Sequence, residues 1–227
     1  MNFIRIPNVK HRLYFVQRTA RPLMVLTLLA VTALHGCGDD GAFRMAGFEA
    51  DTVEVPAEYE GLANHRVAVL VNAPVEIMFR YPQAQLEVCS IVSELIAARV
   101  PEVTVVEPRT VIDFQRRNIY WSTATYAELG EYLDVSRLVL IDLGAYTTRA
   151  SGDPNLYRGL ISASVAVAEM DSPTPNDLVY RTEITQFYPK KQPAGVLDAN
   201  ETAIRKCMLD LFALATVHRF VDYEVER

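Results

Sequence analysis

The sequence is poor in the residue types that carry chemistry. It has three cysteines and no Cys-x-x-Cys, which argues against a dithiol redox motif or a zinc ribbon. None of its four histidines stands four residues from another, so no His-x-x-x-His metal pair is encoded. Gly-x-Ser-x-Gly, a Gly-rich phosphate loop and Ser-x-x-Lys are all missing. The apolar run Pro22–Leu34 has 13 residues, short of the ~20 that span a bilayer. There is no internal repeat and no low-complexity tract.

What is present begins with an address. Arg5, Lys10, Arg12, Arg18 and Arg21 precede that apolar run, and the first acid is Asp39. Leu34-His35-Gly36-Cys37 closes it. A basic segment, a short apolar segment and a small residue before a cysteine resemble a bacterial lipoprotein signal. His35 departs from the pattern, where a small residue is usual. The resemblance implies cleavage before Cys37 and lipidation of its thiol. Segment 1–36 is then a signal peptide. An uncleaved anchor or an ordinary cleaved signal is the alternative, and Met24 competes with Met1 as the start. Each places the body outside the cytoplasm. Gly38 rather than an acid follows Cys37, which favours an outer-membrane address, facing the periplasm, over an inner-membrane one.

Removing the five basic residues before Cys37 leaves 17 basic against 28 acidic side chains, a net charge of −11. A body this acidic argues against nucleic acid and anionic lipid as partners. Residues 37–63, Gly- and acid-rich without helical period, read as a linker. Residues 64–227 read as one globular domain. Cys89 and Cys207 read as separate buried thiols, with a disulfide between them as the alternative in an oxidising compartment.

Within the domain, Arg66–Asn72 and Arg137–Leu143 are apolar runs of the kind found in strands buried on both faces. Gln83–Arg99 has apolar residues at helical spacing. Val103–Glu107 reads as a short strand and Arg109–Arg117 as a helix opened by Pro108. Thr123 is the expected cap of a helix to Leu133. Tyr157–Met170 and Leu178–Tyr188 alternate as an antiparallel meander. A last helix is expected over Asn200–Val221, with Ile204, Cys207, Met208, Leu211, Ala215 and His218 inward. The order β-α-β-α-α-β-β-β-α predicts an α/β fold with a mixed parallel and antiparallel sheet flanked by helices.

Several phrases in that order carry a resemblance: RVAVLV from Arg66, VTVVEPRTVIDFQRRNI from Val103, LGEYLDVSRLVLIDLGAYTT from Leu129, GLISASVAVAEMDSP from Gly159 and LVYRTEITQFYP from Leu178. They resemble the periplasmic domain shared by the CsgG, LpoB and TolB amino-terminal group over about 66–189. That resemblance implies a lipid-anchored periplasmic adaptor that works by protein contact, with no catalytic residues and no cofactor. The short polar turn after Tyr146 lacks the long inserts of a curli-type channel, so a secretion pore is not expected. Assembly into a homo-oligomer stays open.

Arg116, Arg117, Tyr120 and Trp121 form the densest group of arginine and aromatic side chains, the types that dominate binding hot spots. They are the candidate partner-docking patch, with Trp121 alternatively a core plug. Asp142 stands inside an apolar strand, where a carboxylate must find a partner or solvent. The alternative to an adaptor is a small-ligand binder or enzyme with a site at the strand ends near Asn72, Glu107 and Asp142. His65 and His218 are expected to be structural.

Overall fold

The computed structural model describes residues 52–226. The expected signal 1–36, Cys37 and the first part of the expected linker lie outside the described residues. In chain order the elements are β1 (Thr52–Val55), β2 (Arg66–Asn72), α1 (Val75–Arg80), α2 (Ala84–Arg99), β3 (Thr104–Val105), α3 (Pro108–Arg117), a 3-10 turn (Trp121–Thr123), α4 (Tyr126–Leu133), β4 (Arg137–Ala150), β5 (Asp153–Glu169), β6 (Leu178–Tyr188), α5 (Glu201–Val217) and β7 (Tyr223–Glu226).

Five strands form one mixed sheet in the order β3-β2-β4-β5-β6. β2 and β4 run parallel from Val67 opposite Arg137 to Asn72 opposite Asp142. β5 and β6 form the expected antiparallel pair, and β4 joins them by pairing antiparallel with β5. The fold is the mixed α/β domain expected from the order of elements. Val67–Val71 are all buried, so the continuous apolar run of β2 reflects cover on both faces. β4 is longer than its apolar start suggests. It continues through an irregularity around Gly144 to a hairpin at Ser151-Gly152. Gly152 has φ +86°, a conformation glycine adopts without a Cβ clash. α5 crosses β5 at Gly159, where a Cβ would lie 2.9 Å from that of Met208, so a larger residue would push the helix off the sheet.

β3 covers only the start of the outer edge of β2. The Val67 carbonyl accepts from Val106 N–H at 2.8 Å. Carbonyls of alternate residues point the same way, so those of Val69 and Val71 also face that edge. Side chains complete it. The Cys89 thiol donates to Val69 O at 3.2 Å, and Gln85 and Gln115 donate to Val71 O at 2.6 and 3.0 Å. Helices α2 and α3 thus supply the donors that a longer β3 would have given.

Residues 52–63, expected as the end of an extended linker, are packed against the domain instead. β1 pairs antiparallel with β7, Thr52 opposite Glu226. The amides of Glu58 and Tyr59 donate to Arg219 O. Leu62 is buried. Tyr59 packs with Tyr180 and Phe220 at centroid distances of 5.7 and 6.2 Å, and its hydroxyl donates to Glu169 at 2.7 Å. Burial, then the Glu169 carboxylate, push the Tyr59 phenol well above its ordinary range.

Four local expectations change. α1 was not anticipated. α4 is capped by Thr125, not Thr123: Thr125 Oγ1 accepts from the Glu128 amide and the Glu128 carboxylate accepts from the Thr125 amide, a reciprocal capping box. α5 stops at Val217 rather than Val221, and Phe212 is buried where Leu211 was expected. Cys89, by contrast, is the free buried thiol expected of it, and the alternative of a disulfide to Cys207 falls.

Candidate functional site

The surface at the carboxyl ends of β2 and β4 is built by α1, α3 and the segment leading into α4. α3 buries Val111, Ile112 and Gln115. With Gln115 held inward on Val71 O, the next two residues, Arg116 and Arg117, turn outward and are exposed. Asn118 then ends the helix, donating from its amide and from Nδ2 to Phe114 O at 3.0 and 2.8 Å. Two tight turns follow. Trp121 N–H donates to Asn118 O at 2.9 Å, and Thr123 donates to Tyr120 O from both its amide and its hydroxyl. This bonded backbone presents Ile119 and Tyr120 to solvent at 81% and 79% exposure.

Trp121 is partly the core plug that was its alternative reading. It packs partly buried against the core and lines a recess of about 130 Å³ with Asn72, Asp142, Leu140 and Tyr126. α1 starts three residues beyond Asn72. Its Ile77 is turned inward, while Val75 and Phe79, one helical turn apart, are 74% and 89% exposed. Tyr132 of α4 lies 5.7 Å from Phe114 of α3 and is exposed as well. Scattered apolar residues on a surface are ordinary, but Ile119 and Tyr120 are adjacent, both exposed, and follow directly on an exposed arginine pair, a combination of types enriched at interaction sites.

The alternative strand-end site is only partly assembled. Asn72 and Asp142 meet, Nδ2 donating to Oδ1 at 3.1 Å. Asp142 is exposed, not buried, which removes the reason it stood out: water and Asn72 solvate it. Glu107 is elsewhere, in a recess with Ser93, Glu94 and Arg109. The recess holding Asn72 and Asp142 is smaller than the ~300 Å³ typical of small-molecule sites.

A serine–histidine contact does occur. Ser136 Oγ lies 3.0 Å from His65 Nδ1, beside a recess of about 610 Å³ lined by Arg66, Gly130, Asp134, Met170 and Asp171. The other ring nitrogen faces Arg137 Nη2 at 2.9 Å. A guanidinium only donates, so His65 Nε2 accepts and the ring proton of neutral His65 sits on Nδ1. That nitrogen then donates toward Ser136, the reverse of what a general base needs. His218 stacks on Tyr223 at 3.9 Å, and burial, then Arg99 and Arg219, hold its pKa below the ordinary value.

Among the described residues no group of three or more His, Cys, Asp or Glu is placed to hold a metal, and no helix is long and apolar enough to cross a membrane. Sequence reasoning missed Ile119, Val75, Phe79 and Tyr132. The run Arg-Arg-Asn-Ile-Tyr, an apolar residue between an arginine pair and a tyrosine, was the available signal for Ile119.

No family model matches the sequence. No curated protein sequence matches it. Among solved structures it is similar to a PelC dodecamer, in a single-substitution form, from Paraburkholderia phytofirmans, at 8% identity, covering 75% of this chain and 98% of that one, with a TM-score of 0.46. It is similar to the lipoprotein GNA1162 from Neisseria meningitidis at 14% identity, covering 68% and 96%, with a TM-score of 0.42. It is also similar to the LpoB C-terminal domain from Salmonella enterica at 9% identity, covering 57% and 87%, with a TM-score of 0.36.

Proposed function

We propose that this chain is a lipid-anchored envelope lipoprotein that acts without catalysis, by docking another envelope protein on the surface formed by Ile119, Tyr120, Arg116 and Arg117. The observation that carries the reading is the pair Ile119 and Tyr120, exposed on a backbone fixed by hydrogen bonds. A rigid aromatic anchor loses little conformational entropy on binding, and flanking arginines add directional donors. Cys37 supplies the attachment, as the signal-like segment before it suggests. Fifteen residue steps separate Cys37 from the packed Thr52, which keeps Thr52 within about 50 Å of Cys37. A partner within reach of such a tether is an envelope protein. The direction of the His65 proton supports the non-catalytic reading.

The test combines two measurements on the full chain in cells. The intact mass of the membrane-recovered protein reports whether it begins at an acylated Cys37. A photo-reactive phenylalanine analogue at Tyr120 reports a contact. The expected result is an acylated mass and a discrete adduct that Ile119→Asp abolishes, while the same probe at Glu224 gives none. An uncleaved, unacylated chain overturns the anchor. An adduct pattern unchanged by Ile119→Asp overturns the docking surface.

A further inference from the structure

The sheet is finished on one side and open on the other. Helical side chains close the β2 edge, but the outer edge of β6 pairs with no strand among the described residues. An open edge is a template for strand addition, and charged residues on it commonly serve to discourage pairing. Here the two charges, Arg181 and Glu183, are of opposite sign and two residues apart.

The register of the sheet fixes which backbone groups they present. Met170 N–H donates to Ser136 O at 3.0 Å, so even-numbered residues of β5 bond toward β4 and odd-numbered ones toward β6. Val165 stands opposite Thr182 and Ala163 opposite Ile184. Even residues of β6 therefore bond to β5. A register shift sets Val167 opposite Tyr180 but Ala168 opposite Leu178, so the alternation holds from Tyr180 onward: the amides and carbonyls of Arg181, Glu183 and Thr185 point outward. Their side chains lie on the solvent face, where Arg181 donates to Ser164 Oγ at 3.0 Å and Ser162 contacts Thr185 at 2.9 Å. Arg181 and Glu183 are themselves only loosely paired, 4.0 Å apart and mostly solvated.

We infer that β6 is a self-association edge that takes the β6 strand of a second copy, antiparallel about a two-fold axis at Thr182. The inference is independent of the Tyr120 docking surface. Charge selects the register. With the axis at Thr182, Arg181 of each copy lies opposite Glu183 of the other. The outward backbone groups of those residues form hydrogen-bonded pairs. A shift that puts the axis at Arg181 sets arginine against arginine, and one at Glu183 sets glutamate against glutamate. Directly opposed like charges destabilise a strand pair and opposite charges support it. One register satisfies both backbone and charge, and the product is a ten-stranded sheet continuous across the axis.

Charge exchange tests this with the full chain in mild detergent at low salt, by sedimentation over a concentration series. The wild type is expected to dimerise. Arg181→Glu and Glu183→Arg should each weaken the dimer by about tenfold or more, because each opposes like charges twice. Mixing the two single variants should restore the dimer, since each supplies the charge the other lost. The double variant Arg181→Glu/Glu183→Arg should also dimerise. Thermal melts establish that each variant is folded. The inference is overturned by a monomeric wild type, with protected Arg181 and Glu183 amides in that monomer showing that another segment of the chain covers the edge. It is equally overturned by an assembly of any size that the single reversals leave intact, or by single variants that do not recover on mixing.

Discussion

The Arg137 guanidinium donates to Nε2 of His65 at 2.9 Å, joining the first residue of β4 to the segment that leads into β2. Arg137 is buried, and four of the five N–H groups of its guanidinium find acceptors. Nε donates to Gly61 O and Nη1 to Ser136 O, both at 2.8 Å, and Asp171 and Glu169 supply the opposing charge. Through Gly61 and His65 it holds the segment that follows β1, and through Asp171 it holds the turn after β5.

Replacing Arg137 removes all of these at once. Arg137→Met should cost about 3 kcal/mol in urea unfolding, because the Gly61 carbonyl loses its donor and Glu169 and Asp171 lose their opposing charge. Arg137→Lys should recover little, since an ammonium cannot reproduce a planar fork aimed at several acceptors. His65→Ala removes one acceptor and should cost about 1 kcal/mol. Hydrogen exchange should show the Glu58 and Tyr59 amides losing protection in Arg137→Met before the β4 amides do.

The capping box of α4 gives a local prediction. Thr125→Ala should cost about 1 kcal/mol, and Thr123→Ala clearly less, since Thr123 bonds only within its own turn. Equal costs would show that the turn at 121–123, rather than the box, sets where the helix begins.

That contrast shows what was legible in the sequence. The helix was readable from Tyr126, Leu129 and Leu133, but two threonines competed for its cap, and the choice depended on Glu128 standing three residues after Thr125. β2 and β4 were readable because cover on both faces leaves an unbroken apolar run. The packing of residues 52–63 was not readable. Its bonds reach Arg219 and Asp222 across the chain, and no local period records them. α1 was missed because six residues with Val75 and Phe79 outward make no buried stripe. Of the candidate surface, Arg116, Arg117 and Tyr120 were placed correctly on the outside by composition alone. Asp142 stood out inside an apolar run, and the partner or solvent expected for it is supplied by Asn72 and by exposure at the strand end.

Glu201 gives a pH dependence. Burial works to raise its pKa, but hydrogen bonds from Thr148, Arg149 and Arg205 prevail and hold it below the ordinary 4.5. The distances are 3.0, 3.0 and 3.2 Å. A carboxylate with a depressed native pKa adds stability that is fully present above its unfolded value and lost as pH falls through the native one. Glu201→Gln should therefore be less stable than wild type at pH 7. The gap should begin to close below about pH 4.5 and vanish below the native pKa. Denaturant midpoints at pH 7, 5, 4 and 3 measure this, and a gap constant with pH would remove Glu201 as its source.

Cys89 gives the last prediction. Its thiol donates to Val69 O on the edge of β2, and burial pushes its pKa up to about 12 against a weaker lowering by Ser93. The thiolate is the reactive form, so a buried thiol with that pKa is almost wholly protonated at pH 8. Alkylation of the Cys89 peptide, followed by mass spectrometry, should be at least about 100-fold slower in the native protein than in denaturant. Cys89→Ala should cost about 1–2 kcal/mol from lost packing and the unpaired carbonyl. Cys89→Ser should restore a donor to Val69 O but bury a more polar group. If serine is as stable as cysteine, the hydrogen bond to the sheet edge is what Cys89 provides. If serine and alanine are equally poor, its contribution is apolar volume under α2.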